Sequence, residues 1–107
     1  MNKNELRGGI VMGLYTDDFL RMLRNKINID QVIHVLRLET RRSKELLRFR
    51  CPLCHGFHTA TNPKTNLARC FDCELNYNPI DLVMAVTRRD FVETVEFLKK
   101  LIDSSPR

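Results

Sequence analysis

Apolar residues recur at helical spacing along the first third of the chain. Phe19, Leu20, Leu23 and Ile27 fall on one face of a helix. Thr16 supplies a hydroxyl cap, and Asp17 and Asp18 put acids in the first turn, where the helix dipole favours negative charge. Ile29, Val32, Ile33 and Leu36 repeat the spacing, with Asn28 or Asp30 as the cap, and predict a short second helix whose apolar region includes His34 as a packed or half-buried side chain. Residues 40–44 are polar and basic, and the period then changes. Leu47 and Phe49 alternate with Arg48 and Arg50, the two-residue repeat of a strand over 46–50. Short strands are also expected over 57–61 and 67–71, separated by Asn62, Pro63, Lys64, Thr65 and Asn66, a cluster that favours a turn. Helical spacing returns after residue 77. Asn78 and Pro79 read as an N-cap and a first-position proline, and Ile80, Val83 and Met84 begin a stripe that runs to about Arg88. Asp90 and Glu93 make an acid-capped form of the capping box, ahead of Phe91, Val95, Leu98 and Ile102.

These elements predict an α+β fold: short antiparallel strands packed with about four helices, two before the strands and two after. At 107 residues the chain suits a single core. Residues 1–14, with Gly8, Gly9 and Gly13 and no sustained period, are expected to be a lead outside the domain, the domain to occupy 15–103, and residues 104–107 to be a tail or linker. A hydrophobic fraction of 43% with 29% charged residues is ordinary for a folded protein and argues against general disorder. No apolar run approaches the roughly 20 residues that span a bilayer, and 10–15 is too brief for a signal-peptide core. A cytoplasmic protein without a membrane partner is expected.

The cysteines change the picture most. Cys51 and Cys54 form one C-x-x-C pair and Cys70 and Cys73 another, with fifteen residues between them, the spacing of a tetrahedral zinc ribbon. Two residues between cysteines let a tight turn aim both sulfurs at one ion, and the intervening hairpin brings the second pair to the first. With four protein ligands no position is left for water, so one structural Zn2+ is expected, not a catalytic one. Disulfides are disfavoured in the cytosol, a thioredoxin-like site needs a single C-x-x-C at a helix start, and iron–sulfur clusters use other spacings. His55 and His58 lie close enough in sequence to compete with Cys54 as ligands; the symmetry of the two pairs favours four cysteines.

Charge is concentrated around this motif. Between residues 37 and 69 eight basic residues face two acids, a balance of +6, which leaves the rest of the chain at −1 within a net charge of +5. A solvated face is one reading. A polyanionic partner is the other, because phosphate contacts release condensed counterions.

Cys51-Pro52-Leu53-Cys54, Cys70-Phe71-Asp72-Cys73, Ile80-Asp81-Leu82-Val83-Met84 and Phe91-Val92-Glu93-Thr94-Val95 together resemble the N-terminal zinc-binding domain of DnaG-type bacterial and phage primases. Those domains read Cys-Pro-Phe-His, Cys-Phe-x-Cys, Ile-Asp-Phe-Val-Met and Phe-x-Glu-Ala-Val. The segment from Ile29 to Leu38 looks like the helix that precedes the first cysteine pair, so the resemblance covers about residues 28–102. Cys54 stands where the family has its histidine, and Glu74 and Tyr77 stand where it has glycines, so a turn of different shape is expected there. The family's basic Lys-Thr-Pro-Ser-Phe stretch is reduced to His58-Thr59. The resemblance implies recognition of single-stranded DNA template in primer synthesis, as a non-catalytic accessory beside a polymerase, primase or helicase, since the chain ends where a polymerase domain would begin. The alternative is a zinc ribbon that docks on a protein machine. A basic strand beside a hairpin can track phosphates while aromatics stack bases. Arg42, Lys44, Arg48, Arg50, Lys64 and Arg69 are the expected phosphate contacts, and Phe57 and Tyr77 the expected stacking groups, unless those rings pack internally.

Overall fold

The computed structural model describes residues 14–43 and 46–104. The expected lead and tail therefore lie outside the described residues, apart from Leu14 and Ser104, as does Lys44. Helices α1 (Asp17–Lys26) and α2 (Ile29–Val35) come first, then strands β1 (Thr40–Ser43), β2 (Leu46–Phe49), β3 (Thr59–Asn62), β4 (Leu67–Cys70) and β5 (Leu75–Tyr77), then helices α3 (Pro79–Thr87) and α4 (Phe91–Ser104). The class is α+β, with two helices before the sheet and two after.

The helix starts follow from local hydrogen bonding. The Phe19 N–H donates to Thr16 Oγ1 at 3.0 Å, and the Asp30 N–H to Asn28 Oδ1 at 2.7 Å. Asn78 Oδ1 accepts from the Asp81 N–H at 2.8 Å, with Pro79 in the first turn. Asp90 and Glu93 bond reciprocally, each side chain accepting from the other's N–H at 2.8 and 3.0 Å, a complete capping box. Each bond satisfies a backbone donor that the helix itself leaves without a partner.

The strands form one antiparallel sheet in the order β1-β2-β3-β4-β5, two more strands than the alternation predicts. Thr40–Ser43 is the first addition and Leu75–Tyr77 the second. Residues opposite one another across β1 to β5 run Arg41, Arg48, Ala60, Arg69 and Asn76. Because side chains alternate along a strand, these five share one face of the sheet. The other face carries Leu47, Phe49, Thr59, Thr61, Ala68, Cys70 and Tyr77, all buried. They pack with Leu20, Leu23, Ile29, Val32 and Ile33 from the first helices and Leu82, Val83, Val95 and Leu98 from the last. Among the described residues every helix lies on the apolar side of the sheet, and none covers the face with the arginines. His34, expected within the apolar region of α2, is exposed, because the buried stripe consists of Ile29, Val32 and Ile33 and position 34 turns away from it.

One side chain ties the hairpin to the helices. Asn66, in the β3–β4 turn, has φ of 58°, a left-handed conformation that asparagine tolerates better than most residues. Its Oδ1 accepts from the Ile29 N–H at 2.8 Å, and its Nδ2 donates to the carbonyls of Arg24 and Ile27, both at 2.7 Å. The junction between α1 and α2 thereby fixes where the turn sits.

Candidate metal centre and basic sheet face

Cys51 and Cys54 lie on the connection after β2, Cys70 ends β4, and Cys73 lies in the turn before β5. Their four Sγ atoms all lie within 4.8 Å of one another. The Cys51–Cys73 sulfurs are 3.9 Å apart and the Cys54–Cys70 sulfurs 3.7 Å. A tetrahedron with metal–sulfur arms of about 2.3 Å has edges of about 3.8 Å, whereas a disulfide needs about 2.05 Å. The cluster has the dimensions of a zinc tetrathiolate, and the donor set is one that zinc favours. The residues fit one structural Zn2+ with no protein-free position.

The sulfurs are not equivalent. Cys51 and Cys70 are buried, Cys54 is exposed and Cys73 half-buried. Each buried sulfur accepts a backbone N–H, from Leu53 and Cys73 respectively, at 3.4 Å. The Tyr77 hydroxyl lies 3.6 Å from the Cys51 sulfur and is placed to donate to its thiolate. Burial opposes ionisation of Cys51, but N–H groups of Cys54 and Leu53 and the Tyr77 hydroxyl outweigh it and lower the thiol to about 6. Cys70 is lowered as well: burial opposes ionisation, while the nearby Thr59 hydroxyl, although it makes no well-formed hydrogen bond, and the Cys73 N–H favour the thiolate. Burial and the neighbouring cysteines push Cys73 up to about 12. Burial, followed by the neighbouring Cys51 sulfur, raises the Tyr77 phenol, which keeps it a donor.

Neither histidine joins the cluster. His55 is exposed, and its carbonyl accepts from Arg50. His58 Nδ1 pairs at 2.7 Å with the Asp72 carboxylate, so it links β3 to the second cysteine pair without reaching the metal position. Glu74 has φ of 58°, which glycine adopts without strain, so at that position the backbone accommodates the substitution without abandoning a glycine-like turn.

The structure gathers some of the expected nucleic-acid residues and separates others. Arg48, Lys64 and Arg69 line one groove on the open sheet face, about 700 Å³ in volume. Arg42 stands opposite Leu47, so it belongs to the other face of the sheet. Arg50 is exposed, but its guanidinium is engaged within the chain, donating to Glu39 Oε1 at 3.0 and 3.2 Å and to the His55 carbonyl at 2.8 Å. Phe57 is half-buried, with the guanidiniums of Arg41 and Arg50 3.9 and 4.7 Å from its ring centroid. Tyr77 is 4% exposed with its hydroxyl toward Cys51, so it offers no ring face to a base, contrary to expectation. Two residues of the open face were missed. Arg41 belongs to the cross-sheet row, and Phe71, 61% exposed beside Arg69, presents the ring that Tyr77 does not. Phe71 lies two positions beyond Arg69, and that spacing was the available signal.

Among the described residues no helix is long and apolar enough to cross a membrane. A comparison with curated proteins finds no match. The family model described as CHC2 zinc finger, the zinc ribbon of DnaG, matches residues 15–105. That span contains all four cysteines, both helix pairs and the complete sheet, and the chain belongs to the CHC2 zinc-finger family of DnaG-type zinc ribbons.

Proposed function

We propose that the chain is a non-catalytic module that binds single-stranded nucleic acid, with DNA template in primer synthesis as the foremost substrate, across the open face of its sheet. The observation that carries this reading is the row of Arg41, Arg48 and Arg69, beside exposed Phe71, on a sheet face that no helix covers among the described residues. The guanidiniums of Arg41 and Arg48 on neighbouring strands, and of Arg69 two strands beyond Arg48, can pair with phosphates along one strand, and an exposed ring offers a stacking surface to any base. Zinc, held by cysteines that follow β2, end β4 and precede β5, fixes strand positions and takes no part in chemistry. Membership of a primase-type zinc-finger family supports nucleic acid as the partner. The test is fluorescence anisotropy with a labelled single strand and unlabelled duplex as competitor. Preference for the single strand is expected, and Phe71→Ala is expected to weaken it about tenfold, within the ~1–3 kcal/mol of one base–aromatic stack. Absence of binding at low salt would overturn the reading.

A second reading, docking on a polymerase, primase or helicase, is favoured by Leu53 and Leu75, 55% and 44% exposed beside the two cysteine pairs. A stable complex with such a partner that forms without nucleic acid and is lost in Leu53→Ser would support it.

A further inference from the structure

The groove on the open sheet face has a shape that strand tracking alone does not require. Ala60 lies between Arg48 and Arg69 in the register, so a methyl group separates two arginines on strands that stand roughly 10 Å apart across it. The result is a notch with Ala60 as its floor and the two arginines as its walls. The Pro63–Lys64 turn closes one end, and Phe71 and Asn76 stand at the rim. Its volume of about 700 Å³ falls in the range of small-ligand sites, which combine apolar lining with a few convergent polar groups. Arg48 Nε is buried and has no hydrogen-bond partner. Buried polar groups are ordinarily paired, so this N–H is a donor held ready for an acceptor. Arg69 is anchored loosely, its Nη1 3.5 Å from Asn76 Oδ1 and its guanidinium 5.8 Å from the Phe71 ring centroid.

We propose that this notch takes one nucleotide unit, its phosphate between Arg48 and Arg69 and its base against Phe71 with the Asn76 amide at the base edge. The proposal rests on the nucleic-acid reading of the same face and deepens it: the face has one pocket for a defined nucleotide in addition to a track for phosphates. The unit is either a residue of the bound strand or a free nucleotide, since both present the same base and phosphate.

Two-dimensional NMR titration of the zinc-loaded chain with a deoxynucleoside monophosphate tests it, with adenosine and inorganic phosphate as partial probes. Saturable shifts centred on the Ala60 amide and Arg48 Nε are expected, with either partial probe binding at least tenfold more weakly than the nucleotide. Ala60→Leu fills the notch without changing charge and is expected to weaken nucleotide binding at least tenfold. Arg48→Gln is expected to do the same, and Arg21→Gln on α1, which removes equal charge elsewhere, to change it less than twofold. Displacement of a labelled single strand by the nucleotide identifies the occupant as a strand residue; undiminished binding to strand-saturated protein identifies a free nucleotide. The proposal is overturned if no saturable binding occurs, if inorganic phosphate binds as well as the nucleotide, or if Ala60→Leu and Arg48→Gln leave binding unchanged. A wild-type chain that still binds the labelled strand in those cases keeps the broader reading, and one that binds neither loses both.

Discussion

Tyr77→Phe removes one oxygen from the protein and keeps the ring that fills the space beneath the metal site. The lost group is the hydroxyl 3.6 Å from the Cys51 sulfur. Cys51 is buried, so water does not readily replace that donor, and among the described residues its other close donors outside the cysteine cluster are backbone N–H groups. Hydrogen bonds to charged groups contribute about 1.5–3 kcal/mol, and sulfur as acceptor places this one near the lower end. A loss of about 1.5 kcal/mol corresponds to about tenfold weaker zinc binding, the low end of what partners of metal ligands commonly contribute. Competition against a chromophoric chelator measures the affinity. Cobalt substitution adds a readout that packing alone would not move, because a thiolate that loses a hydrogen bond becomes a stronger electron donor and its charge-transfer band shifts to lower energy. Zinc affinity within twofold of wild type, together with an unshifted cobalt spectrum, would refute the role assigned to the hydroxyl.

Asn66→Ala removes three hydrogen bonds that pin the hairpin turn to the α1–α2 junction. At about 1 kcal/mol each the loss is about 3 kcal/mol, and thermal unfolding of the zinc-loaded chain should fall by about 10–20 °C; a fall of under 3 °C would contradict the pin. Chelation of the metal should unfold the strands that carry the cysteines, seen as loss of β signal in circular dichroism, and a chelated chain with an unchanged spectrum would contradict a structural role.

The helices were legible because their starts are written locally. Thr16, Asn78 and the Asp90–Glu93 pair each satisfy backbone donors within three residues, so sequence order is enough to recognise them. The metal ligands were legible for the same reason, since each C-x-x-C turn is local and only the link between the pairs is not. The two outer strands were hidden by their position. Thr40–Ser43 is an edge strand with exposed Thr40, Arg41 and Arg42, so it lacks the alternation that a half-buried strand shows, and Leu75–Tyr77 is too short to show a period. The choice between stacking and internal packing for Tyr77 stayed open in the sequence because its direction depends on pairing with Ala68 across the β4–β5 register, which sets it on the helix side of the sheet. The same nonlocal register decides that Arg41 joins Arg48 and Arg69 while its neighbour Arg42 does not. Asn66 was read as a turn residue, but its partners lie about forty positions away, beyond the reach of any local pattern.

The central claim is that a closed zinc scaffold presents an arginine row to the phosphates of a single strand. The dependence of single-strand affinity on salt, measured for the zinc-loaded wild type and for Arg41→Gln/Arg48→Gln/Arg69→Gln, tests it most directly. Each phosphate contact contributes about 0.7 to the slope of log affinity against log salt concentration, so the triple substitution should flatten that slope by about 2. An unchanged slope in the substituted chain, or affinity that does not fall with salt in the wild type, would contradict the claim.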